Sequence, residues 1–179
     1  MKQNVYSLVL AAALSLLPFS AFAASSSKTK SAEPSRVEVV FQDPDKFTDV
    51  KDSSMNSDKG RDGILDDIRT FVVDSASRFL PAGAKLKITF TEIDLAGEYE
   101  PWRGPSAHDV RIVKDIYPPR FDFSYVVTDE TGAVIKEGKE QLRDMSFMMR
   151  LVIDRSDPLR FEKDMLQEWM RSNLRPSKK

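Results

Sequence analysis

The chain has 179 residues, with 27 basic and 28 acidic side chains and a formal net charge of −1 at pH 7. This length suits one domain, and a near-neutral chain has no field that favours nucleic acid or anionic lipid as a partner. The absence of cysteine excludes disulfides, thiol catalysis, cysteine-ligated metals and a lipid-modified N-terminal cysteine.

The first 23 residues have the pattern of a secretory signal peptide. Lys2 is followed by an apolar run over Val5–Leu17, and Ala21-Phe22-Ala23 is a small-x-small cleavage site. We expect cleavage between Ala23 and Ala24. The mature protein is then expected in the periplasm, with no stable membrane insertion after the signal is removed.

The composition divides the rest of the chain into three parts. Residues 24–35 are polar and rich in Ser and Lys, which predicts a disordered spacer. Residues 36–174 carry the periodic apolar patterns of one folded domain, and residues 175–179 form a short basic tail.

The first half of this domain predicts a strand and then a long helix. Val37, Val39 and Phe41 alternate with polar residues, as in a half-buried strand. From Asp58 to Leu80, apolar residues recur at three- and four-residue steps, which predicts a helix with one buried stripe.

The second half predicts three more strands and a final helix. Apolar residues alternate over 86–90, and their phase then slips, which indicates either a bulge or the end of the strand near Thr91. Alternation over 121–127, a turn at 129–132 and a return over 133–142 predict a hairpin. Asp157 is a candidate N-cap before Pro158.

The predicted order is therefore β-α-β-β-β-α. It indicates an α+β domain, with a mostly antiparallel sheet of about four strands and two main helices packed on one face. The run at 145–149 is compatible with either a strand end or a short helix.

Few classes of catalytic site are compatible with the sequence. His108 is the only histidine, and no nucleophile motif accompanies it, so we interpret it as a loop residue. The acidic run from Asn56 to Gly63 resembles a calcium loop, but Arg69 stands where a bidentate Glu is required. Because the glycines are scattered, no phosphate loop is predicted either. We expect neither a cofactor nor a metal site.

The segment from Asp94 to Arg120 is richer in aromatic, arginine and proline residues than a linker requires. Aromatic side chains beside arginine are typical of binding hot spots. An alternative is that Trp102 and Tyr117 only cover the ends of the sheet. The candidate binding residues are Asp94, Glu100, Trp102, Arg111, Asp115, Tyr117 and Arg120.

Several motifs resemble one bacterial family. They are FQDPDKFTD (41–49), IDLAG (93–97) with EPW (100–102), DVRIVKDIYPPR (109–120), LRDMSFMM (142–149) and DPLRFEK (157–163). They are similar to the domain-of-unknown-function family 3016, exported proteins of Gram-negative bacteria. The resemblance implies a periplasmic single-domain protein, and it implies no catalytic or ligand residues.

Two functions remain open. The first is a non-catalytic binding or accessory module of the cell envelope, whose unknown partner or ligand binds the 94–120 segment. The second is a hydrolase of cell-wall glycan that uses carboxylates alone, because carboxylates are dense between Asp94 and Glu100.

Overall fold

The computed structural model describes residues 35–53, 57–104, 109–151 and 154–175. The predictions for the signal peptide, the spacer, His108 and residues 176–179 lie outside these ranges. The strands and helices are β1 (Val37–Phe41), α1 (Asp58–Phe79), β2 (Lys85–Asp94), β3 (Glu98–Tyr99), β4 (Arg111–Ile112), β5 (Arg120–Thr128), β6 (Val134–Arg143) and α2 (Arg160–Asn173).

Four strands form one sheet in the order β1-β2-β5-β6. β1 runs parallel to β2, because the α1 crossover returns the chain in the same direction. β2, β5 and β6 are successively antiparallel. The α+β prediction is confirmed in class and, broadly, in order.

One face of the sheet carries the core. Phe90 is fully buried, and its ring lies 5.3 to 5.6 Å from the rings of Phe41, Phe121 and Phe123. Trp169 of α2 packs edge-on against Phe123 at a ring distance of 4.7 Å. The buried stripe of α1 belongs to the same apolar cluster. Both helices therefore cover the same face, and the other face remains polar.

The phase slip near Thr91, which left a bulge or the end of the strand open, is a bulge in the structure. The pairing of β2 with β5 shifts between Phe90 and Glu92, so that Thr91 has no direct partner on β5. Its hydroxyl donates instead to the carbonyl of Asp122 at 3.1 Å. This extra residue allows both Phe90 and Ile93 to face the core although they are three positions apart.

Three local features differ from the predictions or complete them. The pair β3–β4 lies inside the 94–120 segment and was not predicted. The predicted start of the last helix was wrong, because Asp157 accepts from the amide of Leu159 at 2.8 Å in a turn, and α2 begins only at Arg160. The undecided run after β6 contains a 3-10 helix, Phe147–Met149.

Candidate functional site

The candidate segment begins where the chain after β1 returns to the end of β2. Asp49 forms a parallel bridge with Asp94, and the amide of Leu95 donates to the carbonyl of Asp49 at 3.2 Å. Asp49 is only 1% exposed. Partial burial, together with the negative charge of Asp49, raises the pKa of Asp94.

Arg111, on β4, connects this strand end to the rest of the segment. Its guanidinium donates to the Asp49 carboxylate at 2.6 Å and to the carbonyls of Gly97 and Lys51 at 3.1 Å each. It also lies over the ring of Tyr99, 4.7 Å from the centroid. Burial disfavours the charge of Arg111, but the hydrogen bond and the charge of Asp49 outweigh it, and the pKa of Arg111 is raised.

The close approach of the two short strands requires glycine at position 97. Gly97 has a φ of +86°, and a side-chain carbon there would lie 2.8 Å from the carbonyl oxygen of Ile112. Its amide donates to the carbonyl of Tyr117 at 3.0 Å. Glycine alone meets both demands without strain.

Glu100 is the centre of a second polar cluster in the segment. Its carboxylate is 1% exposed and accepts from Lys114, from Arg103 Nε at 2.5 Å and from the Tyr117 hydroxyl at 3.1 Å. The hydrogen bond from Lys114, supported by those from Arg103 and Tyr117, lowers the pKa of Glu100 to about 2.

The depressed pKa predicts that Glu100 contributes to acid sensitivity. Because the folded state holds this carboxylate deprotonated, its contribution is fully present above pH 4.5 and is lost as the pH falls towards 2. We expect Glu100→Gln to unfold at lower urea concentration than the wild type at pH 6, and the difference between them to shrink towards pH 2.

The measurement is the urea midpoint of both proteins between pH 2 and pH 6. Glu130→Gln, in the exposed hairpin turn, is the control and should follow the wild type throughout. A difference in urea midpoint between Glu100→Gln and the wild type that stays the same at every pH would contradict the lowered pKa of Glu100.

Glu162 is a buried acid that the sequence reasoning missed. It lies in the first turn of α2, and its Oε1 accepts from the amide of Ala96 at 2.6 Å, while Oε2 has no hydrogen-bond partner among the residues that the structure describes. Burial raises the pKa of Glu162. The available signal was its spacing, because Glu162 precedes Met165 and Leu166 by three and four positions on the apolar stripe.

The predicted site residues separate into two sets. The inward set contacts the polar cluster of Asp49 and Arg111, the polar cluster of Glu100, or the turn that contains Thr48. It comprises Asp94, Glu100, Arg111, Tyr117 and Arg120. Arg120 belongs here because it lies 3.5 Å from the Thr48 hydroxyl and 3.8 Å from Glu92. The outward set comprises Trp102, which is 71% exposed, and Asp115. Their role in binding stays a prediction.

Other large apolar residues of the described chain are also at least half exposed. Ile116 is 63% exposed, and it is adjacent to Tyr117, whose hydroxyl holds Glu100. The chain that leaves β6 passes the C-terminal end of the 94–120 segment, because Arg143 pairs with Arg120 and the amide of Asp144 donates to the carbonyl of Pro119 at 3.4 Å.

We call the exposed apolar residues of these two segments the apolar rim. Its members are large apolar side chains, at least half exposed, from the two segments that meet at this end of the sheet: Trp102, Val110, Ile116, Met145, Met148, Met149 and Leu151. Sequence reasoning had found only Trp102, because exposure of an apolar residue leaves no periodic signal.

The two widest grooves described on the surface lie away from the 94–120 segment. One groove of about 340 Å³ lies between β6 and α2, and another of about 420 Å³ lies beside β1. Neither is lined by residues 94–120. Within the described ranges, no group of three or more acidic or histidine side chains is arranged to hold a metal ion. Nor does any helix described there have the length and apolar content of a membrane span.

Comparison with known proteins gives a family and no activity. The family described as Protein of unknown function (DUF3016) matches residues 35–172. This range contains the sheet, both polar clusters and all but the end of α2. No curated protein and no solved structure matches the chain.

Proposed function

We propose, from the premise that this chain belongs to the DUF3016 family of proteins of unknown function, that it is a non-catalytic binding module of the cell envelope. The observation that carries the proposal is the exposure of Trp102 on a turn that is held from within. Glu100 precedes this turn and Arg103 ends it, and the two are bonded to each other.

The polar clusters of the 94–120 segment fix the backbone that carries Trp102 and Ile116. Arg111 holds the loop at Gly97, and Glu100 holds Lys114 and Tyr117 from the other side. A side chain presented on a fixed backbone loses less conformational freedom on binding, which favours affinity. The inward residues therefore support binding by positioning the rim.

The chemistry of the rim favours a protein partner with an apolar face. Tryptophan is the residue most enriched among binding hot spots, and exposed methionines adapt to differently shaped surfaces. Exposed apolar side chains that form one patch are typical of interaction sites, and we expect the rim residues to form such a patch.

Substitution of Trp102 tests the proposal. We expect Trp102→Ala to weaken binding of the partner by at least about 30-fold, because removal of a hot-spot aromatic costs about 2 kcal/mol or more. Tagged mature proteins would be incubated with envelope extract, and the bound proteins quantified by mass spectrometry. Circular dichroism would verify the fold.

The matched control is Val134→Ser, which changes an exposed apolar residue at the opposite end of β6. A protein enriched by the wild type and by Val134→Ser, but not by Trp102→Ala, would support the proposal. Equal recovery with Trp102→Ala, or no enriched protein at all, would contradict it.

The envelope location rests on the N-terminal sequence. The apolar run and the Ala21-Phe22-Ala23 site favour export and cleavage. We expect the protein in the periplasmic fraction, with Ala24 as its first residue by N-terminal sequencing. A first residue at Met1 in the membrane fraction would contradict this location.

A glycan hydrolase is the second candidate, and one observation favours it. The raised pKa of Asp94 is a property of general acids. Against the hydrolase, the Glu100 carboxylate already accepts hydrogen bonds from Lys114, Arg103 and Tyr117. Release of fragments from peptidoglycan by the wild type but not by Asp94→Asn would favour the hydrolase over the binding module.

A further inference from the structure

The outer edge of β6 is the surface from which we infer a further interaction. β6 is ten residues long and is the last strand of the sheet, and among the described residues it pairs only with β5. An edge strand of this length presents unpaired backbone groups to any strand that can lie beside it. Its side chains decide which strand that is.

The charges of β6 are arranged symmetrically about Gly138. Lys136 and Glu137 precede this glycine, and Lys139 and Glu140 follow it. If a second β6 lies antiparallel with the two Gly138 residues opposite each other, Lys136 faces Glu140 and Glu137 faces Lys139. Each lysine then meets a glutamate, and cross-strand pairs of opposite charge stabilise a sheet. The pair of Glu137 with Lys139 carries most of this effect, because the Lys136 ammonium already donates to the carbonyl of Asn173 at 2.7 Å.

The four other registers, with the axis at residue 136, 137, 139 or 140, bring like charges together. If a two-fold axis perpendicular to the sheet relates the two copies, their helices lie on the same side of the joined sheet. One residue of β6 then lies opposite the same residue of the other copy. An axis at residue 136 or 139 would place two lysines opposite each other. An axis at residue 137 or 140 would place two glutamates opposite each other. Directly opposed like charges destabilise a pair, so the charges of residues 136–140 select the axis at Gly138.

The two faces of β6 are compatible with this arrangement. Gly138 pairs with Tyr125 on the helix side, and a side-chain carbon at 138 would lie 3.0 Å from the Tyr125 ring. No side chain of residue 138 therefore stands at the axis. Glu137 and Lys139 pair with Val126 and Ser124 and so lie on the polar face, clear of the helices.

We propose that two copies of this protein associate through antiparallel pairing of their β6 strands, with the two-fold axis at Gly138. The pairing joins the two sheets into one and leaves the apolar rim outside the contact at Gly138. It does not depend on the proposed partner of the rim, since it uses different residues.

Charge reversal tests the pairing. Analytical ultracentrifugation of the wild type up to a few hundred micromolar should show a monomer–dimer equilibrium, a range typical of small interfaces. Glu137→Lys alone and Lys139→Glu alone each create two like-charge contacts and should raise the dissociation constant about tenfold or more. The combined variant E137K/K139E restores opposite charges and should restore the dimer.

A cysteine test reports the register directly, because the chain has no cysteine of its own. Glu137→Cys and Lys139→Cys would be made separately. Under oxidation, a mixture of the two should form a disulfide-linked dimer faster than either alone, since residues directly opposite come within disulfide reach.

Three outcomes would overturn the proposal. The first is a wild type that stays monomeric throughout, which leaves the edge to a partner strand or to solvent. The second is a dimer that neither charge reversal weakens. The third is faster linkage in Glu137→Cys or Lys139→Cys alone than in the mixture, which would place the axis at another residue.

Discussion

Replacement of Arg111 by Met is expected to lower the free energy of unfolding by about 3 kcal/mol. The substitution leaves the Asp49 carboxylate, whose side chain is 2% exposed, without its partner at 2.6 Å. Loss of one member of a buried ion pair costs about 3 to 5 kcal/mol, because the remaining charge is uncompensated. We take the lower value because Lys51 Nζ lies 3.6 Å from the other Asp49 oxygen.

Urea unfolding at pH 7 measures the effect, and Lys87→Met is the matched control. Lys87 pairs with Glu38 at 2.8 Å, but both side chains are more than half exposed. Its loss should therefore cost no more than about 1 kcal/mol. The double variant D49N/R111M should lose less than the sum of its single variants, because it removes both charges. An Arg111→Met protein within about 1 kcal/mol of the wild type would contradict the role assigned to this pair.

This expectation changes how a loss of binding should be interpreted. Arg111, Glu100 and Tyr117 were all predicted as binding residues, and each contributes to a polar cluster of the segment. Their substitution can abolish binding by displacing the rim. Trp102 is the more informative position, because its exposed ring can be removed while the hydrogen bond between Glu100 and Arg103 remains.

Periodicity was sufficient for the regular elements of the fold. The three- and four-residue spacing on α1 and the alternation on β5 each report one buried face over many residues. The slip of the apolar phase also marked the irregular position, because a single extra residue shifts the alternation between Phe90 and Ile93, but it left a bulge and the end of the strand as alternatives. These features are local in sequence, and a pattern can record them.

The site depends instead on contacts between distant positions. Asp49 and Arg111 are 62 residues apart, and nothing near either residue identifies the other as its partner. β3 and β4 have two residues each, which is too short for any period. Glu162 could have been found by its place on the apolar stripe, but its partner, the amide of Ala96, could not.

The centre of the core is the place where the largest single effect is expected. Replacement of Phe90 by Ala should lower the free energy of unfolding by about 4 kcal/mol, since it removes a large buried side chain and leaves a cavity that its neighbours fill only partly. Phe90 is 0% exposed and contacts the rings of Phe41, Phe121 and Phe123.

Phe41→Ala is the matched control, because it removes the same side chain from the edge strand. Phe41 is only partly buried and lies under the guanidinium of Arg69, 5.0 Å from the ring centroid. Its loss should cost about 1 to 2 kcal/mol. Urea unfolding of both variants gives the comparison. If the core is centred between β2 and β5, the free energy of unfolding of Phe90→Ala is lower than that of Phe41→Ala by at least about 2 kcal/mol. Equal losses would mean that β1 contributes as much to the core as the central strand does.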